Sequence, residues 1–384
     1  MKAGLAQRAE VPFVDLVAQH ALLKEDIMRL VSEALDTAAF VGGAQVAAFE
    51  EEFARFIGTP FAVGLSNGTD ALRLALEAMG VGQGDLVVTV PNTFIATTEA
   101  ISQTGAQFDF VDVEPETCLI DANRLERYLQ DRFSEGPASR RPRAIVPVHL
   151  YGQCADMKAV MALARRYELL VLEDAAQAHG ATHGGENAGQ LGNAAAFSFY
   201  AAKNLGACGE AGAVTTADAR LAERIRLLRD HGQSVKYYHA LEGYNARLDA
   251  IQAGILRIKM RRLAKWNEAR RAIAALYDEA FSSLDWVRPV QVTPANVSCY
   301  HLYVIHVPRR DALQAHLQAM GIATGLHYPL PLHLQQCYSH LGYKAGDFPH
   351  AERSASTLLS LPMYPELGID RARRVIDAVA GFQG

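Results

Sequence analysis

Through its first two thirds the chain alternates short apolar runs with longer stretches whose apolar residues recur three and four positions apart. The runs are FAVGLS from Phe61, DLVVTVP from Asp85, QFDFVDV from Gln107, AIVPVHLYG from Ala144, LLVLEDA from Leu169, AAFSFYA from Ala195 and GAVTTAD from Gly212, each bounded by turn residues. Between them, TDALRLALEAMG, FIATTEAISQTG and MKAVMALARRYE carry helical spacing. Strand and helix in alternation predict an α/β fold with a mainly parallel sheet covered on both faces. The alternation breaks between Ala175 and Ala195, where AQAHGATHGGENAGQLGN is too glycine-rich and irregular for a crossover helix.

Beyond Gly243 the pattern changes. LDAIQAGILRIKMRRLAKWNEARRAIAALYDEAF reads as one or two long amphipathic helices, followed by a strand at YHLYVIHV and helices near DALQAHLQAMG and DRARRVIDAVAG. A chain of 384 residues exceeds what one core usually holds, so a large unit over 1–243 and a smaller α+β unit over 244–384, beginning with the linking helix, are expected. The arginine-rich RFSEGPASRRPR before Ala144 reads as an exposed loop.

Composition narrows the partners. Half the residues are hydrophobic and 21% charged, which is ordinary for a soluble globular protein. The formal charge of -5 and the scattering of Lys and Arg argue against nucleic acid or a polybasic membrane surface, so an acidic small molecule would need a local basic site. Five cysteines without a CxxC pair suggest neither a disulfide framework nor a zinc site. With no apolar signal core near the N-terminus and no run of about 18 apolar residues, a cytoplasmic location is the expectation.

In open α/β sheets ligands gather at the carboxyl ends of strands. After the first run, Asn67-Gly68-Thr69 turns directly into a helix, either as a plain N-cap or as a phosphate cradle of free amides. After the second comes Phe94, a core aromatic or a stacking platform. After the fifth come Asp174 and Gln177, a carboxylate that needs a partner if buried. After the sixth comes Lys203, set among small residues in SFYAAKNLGACGEAGAV. Pyridoxal phosphate would use all four groups at once: a phosphate to cradle, a ring to stack, a ring nitrogen to keep protonated beside an acid, and an aldehyde that condenses with a lysine of lowered pKa. The GxGxxG fingerprint of a nicotinamide enzyme and the GxxxxGK[ST] loop are both absent.

At these residues the sequence resembles the sugar aminotransferases of the DegT/DnrJ/EryC1/StrS family, with the type I fold of pyridoxal phosphate enzymes and its seven-stranded sheet. VPFVDL, NGTDAL, PNTFIAT, PVHLYGQCADM, EDAAQAHGA, SFYAAKNLGACGEAGAV, GYNARLDAIQAGIL, CYHLYVIHV, LHYPLPLHLQ and LSLPMYPEL follow the family's order over nearly the whole chain. The resemblance implies that Lys203 is the Schiff-base lysine and proton shuttle, Asp174 the partner of the ring nitrogen, Gln177 a neighbour of the ring hydroxyl and Phe94 the stacking aromatic. It further implies that Gly68, Thr69 and Ser198 are phosphate ligands, and that Asn245 reaches the phosphate of a neighbouring subunit, hence a homodimer with shared active sites. His327 and Tyr328 match a loop that approaches the sugar nucleotide; His333 matches less securely.

By the same resemblance the reaction is transamination of a nucleotide-linked keto sugar with L-glutamate as donor, through a pyridoxamine phosphate form, releasing 2-oxoglutarate. The wording S-F-Y-x-x-K-N-L-G is similar to enzymes of 3-keto sugars, with 4-keto acceptors as the alternative. Relatives commonly carry an acid-glycine pair where this chain has Glu210 and Ala211, which adds side-chain bulk to a tight turn. A regulatory member of the fold would be expected to lack Lys203 or Asp174; this chain keeps both.

Overall fold

All seven apolar runs enter one sheet in the computed structural model, which describes residues 10–134 and 141–383. The strands are β1 (Phe61–Leu65), β2 (Leu86–Thr89), β3 (Gln107–Phe110), β4 (Pro142–Ile145), β5 (Leu170–Asp174), β6 (Ala194–Ser198) and β7 (Gly212–Thr216), ordered β1-β7-β6-β5-β4-β2-β3. Only β7 runs antiparallel, to both β1 and β6; the other pairings are parallel. Six strands therefore deliver their carboxyl ends to one edge.

The crossovers Gly68–Ala78, Ala96–Gln103 and Met157–Arg166 are helices, in line with their apolar spacing, and so is Ala122–Ser134, for which no helix was expected. From β5 to β6 there is no helix. The irregular chain there is organised by Glu173, whose fully buried carboxylate accepts from the amides of Gly189 (2.9 Å), Leu191 and Gly192 (both 2.8 Å) and from His149 Nε2 (2.8 Å). A carboxylate thus supplies the acceptors that a helix would have provided from its own backbone.

The stretch RFSEGPASRRPR is less of a loop than its polarity suggests. Its first residues finish the helix Ala122–Ser134 and its last begin β4, while 135–140 lie outside the described residues. Pro142 and Ala144 are buried and Arg143 exposed, the alternation of a strand that the charges obscure.

A single helix, Ala250–Phe281, links the two ends of the molecule. Its Ala253, Leu256 and Leu263 pack with Phe49, Phe53, Phe197 and Phe199; further along, Ile273, Tyr277 and Phe281 pack with Tyr303, Leu313, Leu359 and Val375. That second cluster covers a three-stranded antiparallel sheet of Arg288–Pro289, Tyr303–His306 and Leu358–Leu361. Among the described residues no helix is long and apolar enough to cross a membrane.

Candidate active site

At the carboxyl edge of the sheet opens a cavity of about 770 Å³, in the size range of small-molecule sites. Gly68, Thr69, Phe94, Asp174, Gln177, Ser198, Lys203, His327 and Tyr328 all line it. Asn245 and His333 do not. Asn245 is exposed outside the cavity, and His333 is buried elsewhere, its Nε2 bonded to Glu352 at 3.0 Å.

One wall is a helix start. Asn67 caps the helix Gly68–Ala78 by accepting from the Asp70 amide (2.8 Å), while the amides of Gly68 and Thr69 precede any intrahelical acceptor. Gly68 is also the only residue type that fits, because a Cβ there would lie 2.5 Å from Ser198 Cβ. Backbone amides and the Thr69 and Ser198 hydroxyls therefore crowd together at the positive end of a helix dipole, a natural anion cradle. The nearby Asp70 carboxylate would repel an anion, but Arg73 (2.7 Å) and Asn67 Nδ2 (2.9 Å) hold it.

At the end of β5 Asp174 is buried. Thr97 donates its hydroxyl to Oδ2 at 2.7 Å and the Ala176 amide donates to Oδ1 at 3.2 Å. Burial raises its pKa, opposed by these two bonds and by the charge of Lys203. Such an acid is ready to take an N–H donor of a ligand, and all the more a cationic one. Gln177 accepts from the Tyr151 amide (2.8 Å) and donates to the Tyr328 hydroxyl (3.3 Å).

Lys203 follows β6 on a tight loop and keeps part of its surface toward the cavity. Loss of surrounding water pushes its pKa down to about 8, with Asp174 opposing. Among the described residues its amine has no hydrogen-bonding or ion-pairing partner. An amine that is uncharged for part of the time near neutral pH is both a nucleophile and a proton carrier.

Phe94 is 54% exposed, too open for a core residue, and its ring lies 5.7 Å from that of Tyr328. His327 stacks on Phe13 at 5.6 Å and shares a 2.9 Å hydrogen bond with Ser360; burial and the Lys203 charge lower its pKa to about 4, so it is neutral near pH 7. His301 is likewise held well below the usual histidine range by burial.

Several lining residues carried no assignment from sequence: Thr97, Phe13, Arg270 and His301. Thr97 and His301 stand inside motifs quoted above, PNTFIAT and CYHLYVIHV, so their placement at strand-end or motif positions was the available signal. Arg270 gave none. The Glu210–Ala211 pair causes no backbone strain, since neither residue has positive φ, and Ala211 packs fully buried in the cluster with Phe199 and Ala213 while Glu210 joins the cavity wall.

Residues 21–380 match the DegT/DnrJ/EryC1/StrS aminotransferase family. Over 97% of this chain and 98% of its own length, a pleiotropic regulatory protein of Geobacillus stearothermophilus is 44% identical. A dTDP-3-amino-3,4,6-trideoxy-alpha-D-glucose transaminase of Streptomyces venezuelae is 42% identical over 97% of this chain and 96% of its own. The crystal structure of S. venezuelae DesV in complex with a ketimine intermediate superposes with a TM-score of 0.92 at 41% identity, covering 97% of this chain and 98% of that one. With a family match over residues 21–380 and relatives and a solved structure agreeing along almost the entire length, the chain belongs to the DegT/DnrJ/EryC1/StrS aminotransferase family.

Proposed function

We propose that this aminotransferase moves an amino group from L-glutamate to a 3-keto sugar carried on a nucleotide, yielding an amino sugar and 2-oxoglutarate. The observation that carries the reading is the meeting, in one cavity, of the Lys203 amine, the buried Asp174 carboxylate and the helix start at Gly68. Each group fits one part of pyridoxal phosphate, the cofactor of this enzyme class. When bound, that cofactor supplies an electron sink for the carbon that loses a proton.

The chain's own residues supply the rest. Gly68, Thr69 and Ser198 would hold the phosphate, Asp174 would keep the ring nitrogen protonated, Gln177 would meet the ring hydroxyl and Phe94 would cover one face. Lys203 Nζ would hold the cofactor covalently, and as a free amine it would take the proton from the donor's Cα and deliver one to the acceptor's carbon. A pKa near 8 suits both directions of that transfer. His327 and Tyr328 are proposed to meet the sugar nucleotide, and the exposed Asn245 to reach the phosphate in a second subunit of a cytoplasmic homodimer with shared active sites.

We take 1–243 as the large cofactor-binding unit and 244–384 as the small one, in keeping with the two clusters joined by the helix Ala250–Phe281. The 3-keto preference is supported by the S-F-Y-x-x-K-N-L-G wording and by the 3-amino product named for the S. venezuelae transaminase. A regulatory role is raised by the name of the Geobacillus relative, but a purely regulatory chain has no use for a lowered lysine facing a buried acid. The test is a panel of dTDP- and UDP-linked 3-keto and 4-keto sugars incubated with glutamate, reading 2-oxoglutarate and product mass. Turnover of 3-keto acceptors is expected; consumption of 4-keto acceptors alone would overturn the regiochemistry, and no turnover of any sugar would overturn the acceptor class.

A further inference from the structure

Lys259 is fully buried in the helix Ala250–Phe281, and its Nζ donates to the Gly206 carbonyl oxygen at 2.7 Å. Among the described residues no carboxylate pairs with it. Burial holds its ammonium below the usual lysine range, with Cys208 and Glu366 opposing only through space. A buried, unpaired cation is costly, and an apolar side chain of similar length would fill the same space without that cost. Packing alone therefore does not account for a lysine here.

The acceptor of its hydrogen bond explains it. Gly206 lies in the loop that carries Lys203, three positions further on. That loop closes on itself: Lys203 N bonds to Tyr200 O (2.8 Å), Ala207 N to Phe199 O (2.8 Å), and a Cβ on Gly206 would lie 2.3 Å from Ala201 O. Helix Ala250–Phe281 grips the loop at three places. The first is neutral: Asn204 Nδ2 donates to Asn267 Oδ1 at 2.9 Å and to Cys299 O at 2.9 Å. The second is also neutral: Gln252 Oε1 accepts from the Cys208 amide at 2.8 Å and its Nε2 donates to Cys208 O at 3.3 Å. The third is Lys259, whose charge-assisted bond is stronger than a neutral one.

We infer that Lys259 is a positioning residue for Lys203, fixing through the Gly206 carbonyl the loop from which the reactive amine enters the cavity. It acts through the backbone and not through its field, since the lowered pKa of Lys203 arises from burial with Asp174 opposing. The inference rests on Lys203 being the reactive amine, as proposed above.

The test compares full-length wild type with Lys259→Met, which keeps the bulk and removes the donor, and Lys259→Gln, which keeps a neutral donor. In Lys259→Met the melting temperature is expected to hold or rise, while amide exchange accelerates in 199–207 and not in 170–174. Its kcat is expected to fall by about tenfold or more with both KM values within about threefold, and Lys259→Gln to recover much of the loss. Unchanged exchange at 199–207 in Lys259→Met, or Lys259→Gln as impaired as Lys259→Met, would overturn the inference. Should Lys259→Met not fold, exchange in Lys259→Gln decides: faster at 199–207 alone supports the positioning role, and a wild-type pattern overturns it. The exchange comparison stands whether or not the protein turns over a keto sugar, so a failure of the proposed reaction is distinguishable from a failure of this inference.

Discussion

Thr97, in the first turn of the helix after β2, donates its hydroxyl to Asp174 Oδ2 at 2.7 Å, tying that helix to the end of β5 in the cavity wall. Because the acid is buried, that bond leads the groups that offset its desolvation before any ligand arrives, ahead of the Ala176 amide and the charge of Lys203. Thr97→Val keeps the shape and removes the donor. A hydrogen bond to a charged group contributes about 1.5–3 kcal/mol, so roughly a tenfold or larger loss of pyridoxal phosphate affinity is expected in an absorbance titration. Wild-type affinity would show that Asp174 needs no such support.

Gly68 leaves no room for a side chain. With Ser198 Cβ 2.5 Å from where a Cβ would sit, Gly68→Ala has to push the helix start away from β6. Overpacking of this kind costs about 1–3 kcal/mol. The expected outcome is a lower denaturation midpoint in urea together with weakened binding of pyridoxal phosphate; a variant with both values unchanged would mean that the turn is looser than described.

Phe94 separates affinity from stability. It is 54% exposed, so Phe94→Ala is expected to change folding stability by no more than about 0.5 kcal/mol. Cofactor affinity, in contrast, should drop several-fold while Phe94→Trp retains it, because only a ring can stack. Calorimetry and a binding titration on the same samples separate the two effects.

Glu173 and Asp174 are adjacent yet opposite in role. Glu173 accepts from three backbone amides and His149 in the irregular crossover, so Glu173→Gln replaces an acceptor with a donor against those amides. Breaking a buried charged network of this type costs about 3–5 kcal/mol. The variant is expected to melt well below wild type or to be recovered in poor yield, whereas Asp174→Asn should fold and lose activity. Equal melting of Glu173→Gln and wild type would contradict the structural assignment.

The lowered pKa of Lys203 has a stability signature in the cofactor-free protein. Below about pH 8 both folded and unfolded chains carry the proton and the desolvation cost is fully present. Between about pH 8 and the unfolded value near 10.4 the unfolded chain binds more protons, so stability rises with pH. Lys203→Met removes the cost at every pH. Its melting temperature is expected to exceed wild type at pH 7 and the difference to shrink as pH approaches 10; a constant difference would mean that the amine is not desolvated.

Much of this architecture could be read before any coordinates. The seven strands of the sheet were visible because each lies in or beside an apolar run bounded by turn residues, most of them buried on both faces, and the glycine-rich break after Ala175 marked the one crossover without a helix. Leu358–Leu361 escaped notice because LSLPMYPEL is short, proline-bounded and gains its strand character only by pairing with Tyr303–His306. Phe94, Asp174 and Lys203 were legible as residues following strands. Thr97 and Lys259 were not, since a threonine among threonines and a lysine in an arginine-rich helix look solvated until partners distant in sequence, Asp174 and Gly206, are placed beside them.

The most direct trial of the whole scheme is borohydride reduction of the full-length protein in the presence of pyridoxal phosphate, followed by proteolysis and mass spectrometry. A phosphopyridoxyl adduct on Lys203, lost in Lys203→Ala, is the expected result. An unmodified Lys203, or a stoichiometric adduct on another lysine, would contradict it.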